Sequence, residues 1–429
     1  MINVFIAEEI PCYNKGEAAL MHGIMETIRI HVKDEVNFCL CSRDRERDQN
    51  EYGQDVKVIQ SDGMIARYLP KGTKQIKFAW NLLIHFLFLI SYRLFGKAAL
   101  QVFRGELWNA YANSDIIVLG HDNAFTKYHF PLIVFSKWLG KKVCVYGSTI
   151  MPAVFGDSFS KQFGIWAMKR ADLITTREER TFKMLKDFNL NGVPIFCTAD
   201  KAFILNPVSS LDTDVLRKQL GIHGIKKPEI GVMVTKMSTV YRAAFKGHAL
   251  SEEEKYEKHS KEIAKALDLV LETTKGSIVF LGHCTGPDWD RDDRIVARSV
   301  LEKMAHKDRV CFVDRDLRAP ELKGLMGSFD FVVSERTHGG IGAASMTTPT
   351  LWITHPGDHR THGIVGNTLG LSQCLYNTED LNHKSLSAKI KLLYQEREGI
   401  VHILDRNIPT AKAMAMKNGF YFNRYLINK

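Results

Sequence analysis

A chain of 429 residues is too long for one ordinary hydrophobic core, and a prior of roughly 150 residues per domain predicts two or three domains. With 45% hydrophobic and 25% charged residues, the composition is that of a folded chain and excludes a disordered or low-complexity majority. A formal charge of +10 suits anionic substrates or an anionic membrane surface; nucleic acid ranks last, because no basic run interleaved with aromatics, zinc-finger spacing or ribonucleoprotein motif accompanies it.

The chain opens as a strand at residues 3–7, with neither the basic region nor the cleavage site of a secretory signal. Further short β-rich runs follow at 36–41, 56–59, 115–120, 142–147, 173–175 and 194–198, separated by longer segments of helical period. A second set lies at 229–234, 277–282, 309–312, 329–333 and 350–353. This alternation predicts an α/β chain of two doubly wound, Rossmann-like domains facing one another across a cleft, because parallel strands need helical crossovers. Residues 1–206 form the first expected domain and 229–429, with its C-terminal helices, the second. The polar stretch 207–228, which holds Pro207 and Pro228, is the expected linker. No repeat of solenoid period is visible.

Residues 78–90 depart from this scheme, being apolar on nearly every face and flanked by Lys71, Lys74, Lys77, Arg93 and Lys97. The run is shorter than the ~20 residues a membrane crossing needs, and Asn81 and His85 interrupt it. It reads as a buried helix on the sheet, with an interfacial helix in an anionic bilayer as the alternative. The eight cysteines, Cys12, Cys39, Cys41, Cys144, Cys197, Cys284, Cys311 and Cys374, include no Cys-x-x-Cys pair and read as reduced thiols, which predicts a cytoplasmic location.

The most informative stretch is Ser334-Glu-Arg336-Thr-His338-Gly339-Gly340, a strand end that turns into a small-residue helix. Such turns point backbone N–H groups and the positive helix end at the ligand crevice of a doubly wound sheet, so an anion is the expected guest. Arg336 supplies a permanent forked charge, His338 a proton donor that titrates near neutrality, and Gly339 and Gly340 the opening turn. After the first strand, Asn14, Gly16 and Glu17 begin a helix, either as an ordinary cap and dipole partner or as a hold on a polyhydroxylated acceptor. After the fourth, Gly120-His121-Asp122 offers Asp122 as an alternative general base. Arg177, directly after a strand, reads as a surface ion pair or as a second cation for a dianion, and Asp200 closes the same side. His283 heads an acidic loop that lacks the glycine and glutamate of a calcium hand, while His355 and His359 sit on a loop suited to phosphate or carboxylate. No metal is assigned to either. Phosphate-loop, nucleophile-elbow and His-Glu-x-x-His patterns are missing, and Gly340-Ile-Gly342-Ala-Ala-Ser345 is a weak match to a dinucleotide fingerprint.

Together, Asn14 to Leu20, Thr176-Arg-Glu-Glu179, Thr198-Ala-Asp-Lys-Ala-Phe203 and Ser334 to His338 through Pro349 resemble the polysaccharide pyruvyl transferase family. The resemblance implies a GT-B-type fold and transfer of pyruvate from phosphoenolpyruvate to a hydroxyl pair of a cell-surface saccharide or its precursor, forming a cyclic ketal. It leaves open a lipid-linked acceptor and a peripheral position at the inner face of a membrane. In that chemistry His338 protonates the methylene or the leaving phosphate, Arg336 and Arg177 hold carboxylate and phosphate, and Glu17 or Asp122 relieves the attacking hydroxyl of its proton. No metal or organic cofactor is required. The rival is a glycosyltransferase of the same fold with a nucleotide-sugar donor. Those enzymes commonly carry a Glu-x7-Glu pair, and counting from Glu335 lands on Ala343. A noncatalytic scaffold docked through the 78–90 helix is the other alternative.

Overall fold

The computed structural model describes residues 1–61, 63–65, 73–121, 125–236, 238–287 and 291–428. They divide into two compact units, one of Met1–Cys12, Leu20–Ile204 and Ala413–Lys429, the other of Tyr13–Ala19 and Leu205–Lys412.

The first unit carries a seven-stranded sheet of β1 (Ile2–Glu9), β2 (Val36–Ser42), β3 (Val56–Gln60), β4 (Ile116–Leu119), β5 (Lys142–Ser148), β6 (Leu173–Thr176) and β7 (Ile195–Cys197). All of its pairings are parallel, in the order β3-β2-β1-β4-β5-β6-β7. The second unit repeats the plan with β8 (Glu229–Met233), β9 (Ser277–Leu281), β10 (Val310–Val313), β11 (Phe331–Ser334), β12 (Thr350–Thr354) and β13 (Leu375–Asn377), parallel in the order β10-β9-β8-β11-β12-β13. Central strands such as Ile116–Leu119 and Phe331–Ser334 are buried along their whole length, which is why they read as continuous apolar runs rather than as alternating ones. In each sheet the order reverses beside its first strand, between β1 and β4 and between β8 and β11, and the carboxyl ends there are where doubly wound folds receive ligands.

The twelve predicted strands are present within two residues, and both domains are doubly wound as expected. The three-residue β13, Leu-Tyr-Asn, escaped because it is too short for any periodic signal. Domain boundaries need three corrections. Residues 207–228 are not a free linker: they hold the helix Ser210–Gln219, whose Leu216 joins Ile222, Leu322 and Leu325 in the core of the second unit. Residues Tyr13–Ala19 belong to the second unit and Ala413–Lys429 to the first. The latter end is held by Asn418, whose amide oxygen accepts from Thr175 Oγ1 at 2.6 Å and Thr198 Oγ1 at 3.0 Å.

The 78–90 segment is also corrected. It lies in a 23-residue helix, Thr73–Phe95, and Thr73–Gln101 is long and apolar enough to cross a membrane by length and composition. Only 17% of its most apolar window is buried, so it is not a core helix.

Close packing explains the small-residue helix Thr337–Ala344. A Cβ on Gly340 would stand 1.9 Å from Trp352 Nε1, and one on Gly339 would stand 2.7 Å from Met233 Sδ. Gly340→Ala is therefore expected to destabilise the second unit by roughly 1–3 kcal/mol through overpacking, read as a lower urea midpoint.

Candidate active site

The carboxyl ends of β8, β9 and β11 bring together the segments that carry Thr235, His283 to Thr285, Asp293 and Glu335 to His338. Arg336 is the N-cap residue of Thr337–Ala344, which opens with no side-chain cap. Its backbone is held by Ser334, whose Oγ accepts from Arg336 N at 3.1 Å. Its guanidinium forms a two-pronged pair with Asp293, Nε to Oδ2 at 3.0 Å and Nη2 to Oδ1 at 2.6 Å. Asp293 Oδ2 also accepts from Cys284 N at 2.8 Å. Burial works against charge on both partners. On Arg336 the Asp293 carboxylate outweighs it and pushes the guanidinium above its ordinary value, and the two-pronged contact keeps the pair ionised.

Residues Tyr13–Ala19 lie along the loop after β9. Lys15 N donates to His283 O at 3.0 Å, Thr285 N to Tyr13 O at 2.8 Å, and Asn14 bridges Cys284. Lys15 Nζ pairs with Asp316 at 2.9 Å. Asn14 caps its helix through Oδ1, which accepts from Gly16 N at 3.1 Å, and donates Nδ2 to Glu17 Oε1 at 3.2 Å. Gly16 is needed for the ring of His338, because a Cβ there would sit 2.6 Å from His338 Nδ1.

His283 is fully enclosed, and its Nδ1 has no hydrogen-bond partner. Burial first, then the charges of Arg336, His338 and Lys15, lower its pKa far enough to keep the ring neutral. Cys284 is pushed up to about 11, mainly by burial, and is no nucleophile at neutral pH. Beneath the turn, Glu335 accepts from Thr235 N at 2.8 Å and lies 2.8 Å from His259 Nε2, both side chains being buried. To one side, Arg360 Nη2 donates to Thr337 Oγ1 at 2.9 Å. Burial tends to raise the neighbouring Asp358, but Arg360 and the Thr361 hydroxyl and N–H outweigh it and hold the carboxyl at about 2.

The profile of the polysaccharide pyruvyl transferase family matches residues 14–357 of this chain. The chain belongs to that family. A relative of similar length, the amylovoran biosynthesis protein AmsJ of Erwinia amylovora, is 20% identical over 421 residues and covers 95% of each sequence. Family and relative make the chain a transferase of polysaccharide biosynthesis. Among solved structures, a UDP-N-acetylglucosamine 2-epimerase from Listeria monocytogenes matches with a TM-score of 0.61 at 13% identity, over 99% of this chain and 96% of that one. The UDP-GlcNAc 2-epimerase of Neisseria meningitidis, solved with UDP-GlcNAc bound, matches with 0.60 at 12% identity, over 100% and 99%. These likenesses establish a GT-B-like fold.

Within the second unit, six of the residues singled out from sequence converge: Asn14, Gly16, Glu17, His283, Arg336 and His338. Asn14 and Glu17 were expected on the first domain, and the backbone bonds from Tyr13 and Lys15 to the loop after β9 are what carry them to the second. Gly339 and Gly340 are required as glycines by the close approach of Met233 and Trp352. His355 turns Nδ1 back onto Gly357 N at 3.1 Å, and His359 begins the short helix His359–His362. Arg336 pairs with Asp293 rather than with its neighbours in sequence, Glu335 or Asp330. Asp293 looked like one more acid in a capping loop, and its signal was an aspartate at the first position of a helix after a strand.

In the first unit Arg177 is not a surface residue. It is 0% exposed, with Nη1 donating to Asp200 at 2.7 Å and Nε to Thr149 Oγ1 at 2.9 Å. Its charge is satisfied inside the sheet end, where Lys201 Nζ also donates to the carbonyls of His121, Tyr146 and Gly147. Asp122 lies outside the described residues. Sequence reasoning missed Glu8, the penultimate residue of β1, which is buried. Its carboxylate accepts from Gly120 N and lies 3.2 Å from His121 Nδ1 and 2.9 Å from His129 Nε2. Two consecutive acids, Glu8 and Glu9, at the end of an apolar strand were the available signal. Among the described residues, no group of three His, Cys, Asp or Glu is placed to hold a metal ion.

Two measurements check this arrangement. Asp293→Asn leaves a buried guanidinium without its counter-charge and is expected to cost about 3–5 kcal/mol, seen in urea unfolding. Burial alone would raise the Glu8 carboxyl, but His121 and His129 together hold it well below its ordinary value of 4.5. Its contribution is therefore complete above that value and is lost as the pH falls through the folded-state pKa. In thermal melts from about pH 6 to 3, Glu8→Gln should flatten the acid-side fall in Tm.

Proposed function

We propose that this protein transfers pyruvate from phosphoenolpyruvate to two hydroxyls of a saccharide, forming a cyclic ketal and releasing phosphate. The observation that carries the reading is the cluster at the carboxyl ends of β8, β9 and β11. There an open helix end, Arg336, His338, Lys15 and a neutral His283 with an unpartnered Nδ1 lie beside Asn14 and Glu17. A small dianion suits this set, because a helix amino end and fixed cations favour carboxylate and phosphate oxygens.

The chemistry assigns a role to each group. His338, pressed on Gly16, delivers a proton to the terminal methylene, which leaves a cationic C2 stabilised by its enol oxygen. Arg336, pinned by Asp293, contributes positive potential that does not reorient as charge moves. His283 uses its orphan Nδ1 toward the donor or the departing phosphate. A saccharide hydroxyl attacks C2 and gives its proton to Glu17; the C2–O bond to phosphate breaks, and the second hydroxyl closes the ring. Two protons leave the hydroxyls, one is consumed at the methylene, and the other departs with phosphate. Arg177 has no part in this scheme, since its side chain is fully enclosed in the first unit, paired with Asp200. None of the eight cysteines forms a disulfide, which fits assignment of the reaction to a reducing compartment such as the cytoplasm.

A nucleotide-sugar donor is the alternative, and it is raised by a neighbour of the same fold solved with UDP-GlcNAc. At 12% identity that likeness speaks to fold alone. The two readings separate by calorimetry with phosphoenolpyruvate and with UDP-GlcNAc. Saturable binding of phosphoenolpyruvate that is lost in Arg336→Ala, with no binding of UDP-GlcNAc, is the expected result; the reverse preference would overturn the assignment. In turnover scored by phosphate release against a panel of oligosaccharides, His338→Asn should lower kcat by about 10²–10⁴ with a smaller change in donor KM. Glu17→Gln should also lower kcat while leaving donor binding intact.

A further inference from the structure

The helix Thr73–Phe95 packs on the first unit by one face only. Phe78, Asn81, His85, Phe88, Leu89 and Tyr92 recur at helical spacing and face inward. The ring of His85 meets Trp108, Tyr111 and Phe135 with centroids 4.9–5.5 Å apart, and Phe88 meets Trp108 at 4.7 Å. Asn81 Nδ2 donates to Gly63 O at 3.2 Å, and His85 Nδ1 lies 2.7 Å from Asn81 O. A surface helix with this seat should carry polar residues on its opposite side. It carries Ile76, Trp80, Leu83, Leu87, Ile90 and Leu94 instead, a stripe spaced by four, three, four, three and four residues. All six are exposed, Ile76 at 75%, Trp80 at 61% and Leu94 at 69%. At 1.5 Å per residue the stripe is about 27 Å long. Phe86 and Leu82 widen it, Phe95 continues it to the helix end, and Val102 extends it beyond the helix. Between Thr73 and Gly105 the sequence holds Lys74, Lys77, Arg93, Lys97 and Arg104 and no Asp or Glu.

We propose that this stripe seats the protein on the surface of an anionic lipid bilayer, with the helix in the plane of the interface. Charge and side-chain chemistry choose the occupant. Lysines and arginines at both ends of an apolar, tryptophan-bearing face match acidic headgroups around an acyl boundary, and each basic residue near such a surface adds attraction. A protein partner fits less well, because interface cores are depleted of lysine and this face has no acidic residue to pair with a basic rim. A transbilayer crossing would pull His85, Phe88 and Leu89 from their seat and expose the Tyr111 and Phe135 core, so the helix lies on the membrane and does not span it.

The full-length protein, spun with vesicles of phosphatidylcholine containing about 30% phosphatidylglycerol, should pellet with them. Binding should be at least about ten-fold weaker with phosphatidylcholine alone or in about 0.5 M salt. The exposed double substitution Leu83→Glu/Leu87→Glu should abolish pelleting without changing circular dichroism or the melting temperature. Ile76→Glu, at the outer end of the helix, serves as the second variant should the double one misfold. Arg93→Gln/Lys97→Gln should weaken binding to anionic vesicles and leave residual binding to neutral ones unchanged. No pelleting with either vesicle, or pelleting indifferent to the glutamates, overturns the proposal. So does light scattering that shows a dimer dissolved by Leu83→Glu/Leu87→Glu, which would assign the stripe to a second copy, and so does resistance of bound protein to alkaline carbonate, which would make the helix a span. Neither donor nor acceptor is present in these assays, so their outcome is independent of the reaction assigned above.

Discussion

One buried carboxylate, that of Asp293, holds the candidate site in shape. It takes two donors from Arg336 and one from Cys284, and so joins the turn after β11 to the loop after β9. Cys284 is bridged in turn by Asn14, which brings the Tyr13–Ala19 segment and its Glu17 to the same place. A guanidinium removed from water without a counter-charge would be strongly unfavourable, and a two-pronged carboxylate is the geometry that best offsets that penalty. The pair does more than stabilise, because it fixes where a permanent positive charge points before any ligand arrives.

The surrounding polar groups form layers under this pair. Glu335, Thr235 and His259 lie beneath the turn, and Asp358, Arg360, Thr361 and Thr337 flank it, each bonded mainly to the others. His283, enclosed and without a partner at Nδ1 as His259 also is, is set apart by the cations around it, Arg336, His338 and Lys15, which with burial keep its ring neutral. In a low-dielectric setting an unsatisfied imidazole nitrogen is costly, and such costs concentrate where a ligand supplies the missing bond. The first unit presents the contrasting case. Its buried charges, Glu8 with His121 and His129, and Arg177 with Asp200, answer one another at the strand ends.

Much of the scaffold was legible in the residues. Strands buried on both faces are unbroken apolar runs, so their positions and the doubly wound class followed from pattern alone, and only the short β13 was lost. The Arg336–His338 turn was also legible, since a charged pair between an apolar strand and a run of small residues has few ordinary explanations. Arg177 carried the same local signature, yet its side chain is fully enclosed against Asp200, whereas that of Arg336 keeps 13% exposure in its pair with Asp293. Local sequence cannot tell the two apart, because both arginines follow a strand and precede a helix.

Sequence alone therefore determined the strands, the two-sheet plan and the candidate residues, because hydrophobic period and the chemistry of strand–helix turns are local properties. Tertiary structure decided which charges meet. Pairing of Arg336 with Asp293, of Arg177 with Asp200 and of Glu8 with two histidines depends on side chains distant along the chain meeting at the carboxyl ends of strands. It likewise decided that the apolar helix Thr73–Phe95 shows its oily side to the outside, since which face of an all-apolar helix is covered depends on what packs against it and not on its own sequence.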